Sequence, residues 1–160
     1  MVLLQLAVIA LTLVVRRPPV RVTTNPVFWL LAFVVTYWPF LIGVFDIEEA
    51  GAPLTPTWLS NGVALLSLAV SVWARLSLGR NIGFVPAERQ IVTTGAYAYV
   101  RHPIYSSIFV GVLASELSRF SWTNAALNAL WCGLLVIKTF IEEGFLRQNP
   151  EYTRYMEHVR

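Results

Sequence analysis

The stretch 122-WTNAALNALWCGLLVIKTFI-141 carries one charge, Lys138, in its whole length and is followed at once by two carboxylates, Glu142 and Glu143. A helix of that length rises about 30 Å, the thickness of a bilayer's hydrocarbon core. Runs of the same kind lie at Pro26 to Phe45 and Trp58 to Leu78, with shorter ones at Met1 to Val15 and Ile104 to Leu117. The short runs cross only if flanking residues join them or the bilayer thins. Composition points the same way, with 56% of residues hydrophobic and 13% charged, against about 45–50% and about 25% in soluble domains. The sequence therefore predicts an all-α integral membrane protein, one domain over residues 1–160, a bundle of about five transmembrane helices at roughly 1–15, 26–45, 58–78, 104–117 and 122–141.

Residues 1–15 lack the leading basic residues and the small-residue cleavage site of a secretion signal, so they are expected to be a span. The single cysteine, Cys132, lies inside a span, which leaves no disulfide framework and no zinc-type spacing, and no metal is expected. Orientation follows the basic residues, because short cytoplasmic loops retain Lys and Arg. Arg16, Arg17 and Arg21 fall in the first connection, Arg75, Arg80, Arg89 and Arg101 in or beside the third, and Lys138, Arg147, Arg154 and Arg160 at or after the last span. Arg119 alone falls elsewhere, and the second connection holds Asp46, Glu48 and Glu49. An outer N-terminus, a cytoplasmic C-terminus and a bacterial inner membrane are expected. The net charge of +3 is then a topology and membrane-surface signal, not one for nucleic acid.

Two small-residue stripes, Ala125, Ala129 and Gly133 in the last span and Ser67 and Ser71 in the third, are expected to let helices approach closely. Polar residues concentrate in two cytoplasmic pieces, residues 79–103 and the tail from Glu142. No strand pattern is visible.

Pro103, with its fixed φ and no amide proton, suits the first position of a helix and makes His102 its cap. A helix start presents free amides and positive partial charge, and Arg101 and His102 add donors, so this point is suited to a carboxylate or phosphate. Tyr97, Tyr99 and Tyr105 supply flat surfaces beside it. A purely interfacial role, with Arg101 on lipid headgroups and the tyrosines as belt residues, is the competing reading. Glu142 and Glu143, at the negative end of a helix dipole, call for a cation: Arg147 on the same face, Arg101 across the chain, or the positive group of a ligand. After them Phe145, Leu146, Tyr152, Tyr155 and Val159 alternate with charge as in a helix lying against a membrane or bundle.

The segments IVTTGAYAYVRHPIYSS, Glu142-Glu143-Gly144-Phe145-Leu146 and Pro150 to Val159 resemble the isoprenylcysteine carboxyl methyltransferase family and its bacterial relatives, including phospholipid N-methyltransferases. The resemblance runs from about Leu78 to the end. It implies S-adenosylmethionine as methyl donor and S-adenosylhomocysteine as product, in a site formed by residues 95–105 and an amphipathic C-terminal helix within 142–158. The absence of a Gly-rich turn after a strand agrees with a donor bound without a dinucleotide-type domain. Residue by residue, it places Tyr97, Arg101, His102, Pro103, Tyr105, Glu142 and Glu143 around the donor, gives Arg101 and Glu142 roles in catalysis, and puts Arg154, His158 and Arg160 toward the acceptor. That acceptor is expected to be a lipophilic small molecule, a prenylated substrate or a membrane lipid, with carboxyl O-methylation first and amine, thiol or phenol methylation as alternatives. His158, where the family usually has arginine, speaks against the carboxylate. Sterol-type reductases, which use NADPH, share RHPNYxGE. Here Ile104 and Ile108 replace its asparagine and its acid, and the acidic pair favours a methyltransferase. A non-enzymatic protein of the same fold is the third reading.

Overall fold

The computed structural model describes residues 10, 14, 16–45, 51–83 and 85–159, without the side chains of 39–45. Its helices are α1 (Pro26–Phe45), α2 (Thr57–Leu78), α3 (Pro103–Ser118), α4 (Trp122–Leu146) and α5 (Pro150–His158). Helices occupy four of the expected span positions within a few residues; the expected span at 1–15 lies outside the described residues apart from Ala10 and Val14. Helix α4 continues past the predicted end at Ile141, so the acidic pair is inside the helix. Lys138 with Glu142 and Glu143 with Arg147, each four apart, support that extra turn.

Two segments, Thr57–Asn81 and Trp122–Leu146, are long and apolar enough to cross a bilayer. Only 17% of each apolar window is buried within the protein. A soluble core helix would be mostly covered, whereas here Leu65, Leu66, Leu76, Leu130, Ile137 and Phe140 point outward. The fold is of the all-α membrane type. Helix α3, with 16 residues, is about 24 Å long, shorter than a hydrocarbon core.

Helices α2 and α3 approach through small residues. Ser67 Oγ donates to the Ser107 carbonyl at 2.7 Å, and a Cβ on Gly111 would stand 2.8 Å from that Ser67 hydroxyl. Ser71, one turn on, is buried, and Ser67 thus serves the packing role expected of it. The α4 stripe does not: Ala129 and Gly133 face outward, with open space at Gly133. The buried face of α4 is Trp131, Leu135, Lys138 and Glu143, because the bulky Trp131 and Leu135 fill the gap toward Val35 on α1.

Pro39 lies inside α1 and has no amide to offer the carbonyl of Val35, four residues earlier. Trp131 Nε1 donates to that carbonyl at 2.9 Å. We expect Trp131→Phe to cost about 1–3 kcal/mol, because a carbonyl is left unpaired in apolar surroundings. Thermal unfolding in detergent measures it, and an unchanged midpoint would show that the carbonyl has another partner.

The connections gather at two ends. At one, β1 (Arg21–Val22) pairs antiparallel with β2 (Ala87–Glu88), a minimal ladder that the sequence did not reveal. Arg21 also reaches Glu88 at 3.2 Å and Gln148 at 2.6 Å, and Asn149 donates to Glu88 at 2.7 Å. At the other end, the Leu54 amide donates to the Leu117 carbonyl. The first connection, the third and the tail therefore share one end, as the basic residues require.

Candidate functional site

Three segments converge at the end that holds the tail. The first is the 3-10 turn Gly95–Ala98, which carries Tyr97. Gly95 has φ +62 and a Cβ there would stand 2.3 Å from Ser77 Oγ; that hydroxyl accepts the Ala96 amide at 3.1 Å. Only glycine fits, so the turn is locked to the end of α2. The second is the start of α3, with His102 at the cap and Pro103 at the first turn, as the sequence predicts. The His102 ring makes no capping bond and reaches across to α4 instead.

The third segment is the end of α4. Glu143 is 6% exposed and accepts from Arg101 at 3.3 Å, from His102 Nε2 at 3.1 Å and from Arg147 at 3.4 Å. A carboxylate only accepts, so His102 carries its proton on Nε2. Glu142, one residue on and turned about 100° around the helix, accepts the Tyr105 hydroxyl at 2.6 Å. Lys138, 5% exposed, donates to that same hydroxyl and lies 3.6 Å from Glu142. The result is a chain from Lys138 through Tyr105 to Glu142. The His102 and Tyr105 rings stack, with centroids 5.5 Å apart and planes 7° from parallel.

These groups border a cavity of about 650 Å³, within the range of small-molecule sites. Tyr97, Arg101, His102, Tyr105 and Glu142 line its tail end, and it continues between α2 and α3 to Asn61, Ser118 and Asn128 at the far end. Helix α5 closes the tail end. Its cap, Asn149, accepts the Glu151 amide at 2.8 Å, and the Tyr155 hydroxyl donates to the Tyr97 carbonyl at 2.6 Å. Burial first, then the Glu142 carboxylate, push the Tyr97 phenol well above its ordinary pKa, with Arg75 opposing. Tyr152 is raised by burial and by Glu143, and Tyr155 by burial against Arg101. All three phenols stay protonated at neutral pH, and of the three the Tyr155 hydroxyl is the one seen donating, to the Tyr97 carbonyl.

Tyr97, Arg101, His102, Tyr105 and Glu142, five of the residues expected around a donor, thus share one cavity. Pro103 is buried at the helix start outside the lining, and Glu143 stands behind the wall and holds it. Arg154 and His158 do not join them. Both are exposed on the far side of α5, where the His158 ring lies 2.8 Å from the Arg154 carbonyl, because Tyr152 and Tyr155 take the inward face. Arg160 lies outside the described residues. Lys138, Arg75 and Arg89 line the cavity without having been singled out; the available signal was a lysine inside a span, four residues before a carboxylate. Arg101 Nε and the Tyr152 hydroxyl are buried with no partner. Among the described residues no three His, Cys, Asp or Glu side chains gather in a way that would hold a metal ion.

The phospholipid methyltransferase family matches residues 56–153, well over half of the sequence. The chain belongs to the phospholipid methyltransferase family. This is the group to which the motifs at Arg101–Tyr105 and Glu142–Glu143 pointed, and the family match reaches further back than those motifs, over all of α2 and hence over Arg75. The chain is also 32% identical over 104 residues, 62% of its length, to the nickel-cobalt-cadmium resistance protein NccN of Alcaligenes xylosoxydans xylosoxydans. It spans about half, 48%, of that protein.

Proposed function

We propose that this protein is an integral inner-membrane methyltransferase that uses S-adenosylmethionine on a lipophilic acceptor at the cytoplasmic face. The observation that carries this reading is the single cavity with Tyr97, His102, Tyr105 and Glu142 at its polar end and a continuation into the bundle at the other. Helices α1 and α3 and residues 1–15 are proposed to complete five spans. The site suits the donor. Glu142 faces the cavity as an acceptor for an ammonium, the aromatic groups offer flat surfaces, and Arg101 Nε and the Tyr152 hydroxyl await partners. S-adenosylmethionine, when bound, supplies a methyl group on a sulfonium centre that is already activated for in-line displacement. What the chain supplies is alignment and exclusion of water, the work of α5 and the Tyr97 turn.

One observation bears on the acceptor. Arg154 and His158 face away from the cavity, so among the described residues the cations expected to orient a prenylcysteine-type carboxylate do not line it. A phospholipid amine takes first place instead. Such an amine attacks only after it has lost a proton, and Glu142 is the carboxylate that faces the cavity to take it.

Calorimetric titration of the detergent-purified protein with S-adenosylhomocysteine, with NADPH in parallel, tests the reading. Micromolar binding of S-adenosylhomocysteine and none of NADPH is the expected result. Binding of NADPH alone would replace the methyltransferase with a reductase.

A further inference from the structure

We infer that Arg75 and Arg89 form an anion subsite inside the cavity, placed to receive a carboxylate or phosphate group of a bound ligand. The inference deepens the proposed function and rests on the reading of this cavity as the methyl-transfer site.

Both arginines line the cavity and both are partly buried. The acidic side chains near them are already engaged: Glu143 with Arg101, His102 and Arg147, Glu142 with Lys138, and Glu88 with Arg21. Among the described residues no carboxylate lies within ion-pair distance of Arg75 or Arg89. Arg75 donates to the Ser71 hydroxyl, and Arg89 donates to the Arg17 carbonyl at 3.3 Å. Neither contact neutralises a guanidinium. A partly desolvated cation in the last turn of an apolar helix is costly unless an anion completes it.

The usual anion receptors at this end are occupied. The start of α3 with Arg101 and His102 looks from sequence like the place for a ligand's carboxylate, yet the chain's own Glu143 fills that role. A ligand's negative group entering the cavity therefore finds its uncommitted cations on the other wall, at Arg75 and Arg89. Arg16 is near enough to Arg89 to add to the positive field, and the Glu142 carboxylate, which also lines the cavity, acts on Arg89 in the opposite sense. Tyr97 lines the same cavity and is subject to both Glu142 and Arg75. On the α4 wall the charges of Glu142 and Lys138 offset each other, so the uncompensated charge of the lining is the positive charge of Arg75 and Arg89.

Two ligands supply such an anion: the amino-acid carboxylate of the methyl donor, or the phosphate or carboxylate of a lipid acceptor. Calorimetry with S-adenosylhomocysteine and with 5′-methylthioadenosine, which lacks the amino-acid group, reads the first source. Thermal stabilisation by lysophosphatidylethanolamine, compared with a monoacylglycerol of equal chain length, reads the second. For the wild type, Arg75→Gln, Arg75→Lys and Arg89→Gln, a loss of about tenfold or more is expected in Arg75→Gln toward one anionic probe, and none toward its uncharged counterpart. Arg89→Gln should move the same way, and Arg75→Lys should recover part of the loss. A loss confined to S-adenosylhomocysteine assigns the subsite to the donor, and one confined to the lysophospholipid assigns it to the acceptor. Should Arg75→Gln fail to fold, Arg89→Gln carries the comparison. Wild-type affinity for both anionic probes in the folded glutamine variants overturns the subsite. A wild type that does not bind S-adenosylhomocysteine overturns the methyltransferase reading instead, and the lysophospholipid arm still decides the subsite.

Discussion

Replacing Glu143 by alanine is expected to lower stability by about 3–5 kcal/mol, the range for breaking a buried ion pair from one side. Three donors converge on this carboxylate, but they do not weigh equally. The Arg147 side chain is 58% exposed, so its pair is screened and contributes little. Arg101 and His102 are largely covered, and Arg101 already has one buried nitrogen without a partner. Without Glu143 a guanidinium and an imidazole are left without their shared acceptor. The cost is therefore mostly the penalty of stranded donors, and removing both sides should be milder than removing one. Thermal unfolding of Glu143→Ala, Arg101→Ala and the double variant in one detergent measures this. The double variant is expected to lose less than the sum of the singles, and additive losses would mean that the contact is not coupled in the folded protein.

The second large effect is on turnover. Glu142→Gln keeps the size of the side chain and an oxygen that accepts the Tyr105 hydroxyl, but it leaves the buried Lys138 without its carboxylate, so some loss of stability is expected beside the effect on turnover. What disappears is the negative charge and the capacity to take a proton. For an amine acceptor that change is expected to reduce methyl transfer by about 100-fold or more. The readout is incorporation of labelled methyl groups into phosphatidylethanolamine vesicles at saturating donor, alongside the thermal midpoint. Full turnover in a folded Glu142→Gln protein would remove this carboxylate from the proton's route.

Much of the architecture was legible because hydrocarbon imposes length. Pro26–Phe45, Thr57–Leu78 and Pro103–Ser118 begin and end within a residue of the runs read from hydropathy. The start of α3 was legible for a different reason, since proline after histidine has few places to go. What hydropathy cannot show is which side of a membrane helix faces its neighbours, because an apolar residue suits lipid and core alike. Hence the Ala129–Gly133 stripe faces outward while Trp131 and Leu135 pack. Arg75 and Lys138 read as markers of topology because their direction around the helix was invisible. In the tail, alternating charge and aromatics announced an amphipathic helix. Its phase sends Tyr152 and Tyr155 inward and Arg154 and His158 outward, which family resemblance alone did not settle.

The Arg21–Gln148 contact joins residues 127 apart in the chain, and Asn149 holds Glu88 from 61 residues away. A chain that leaves the ribosome one end first can insert α1 through α3 while Gln148 and Asn149 have yet to be made. The clasp between the first connection and the tail thus assembles after α1 through α3. Until the tail has been made, α5 is not there to close its end of the cavity, so the membrane helices precede the enclosed space that they border.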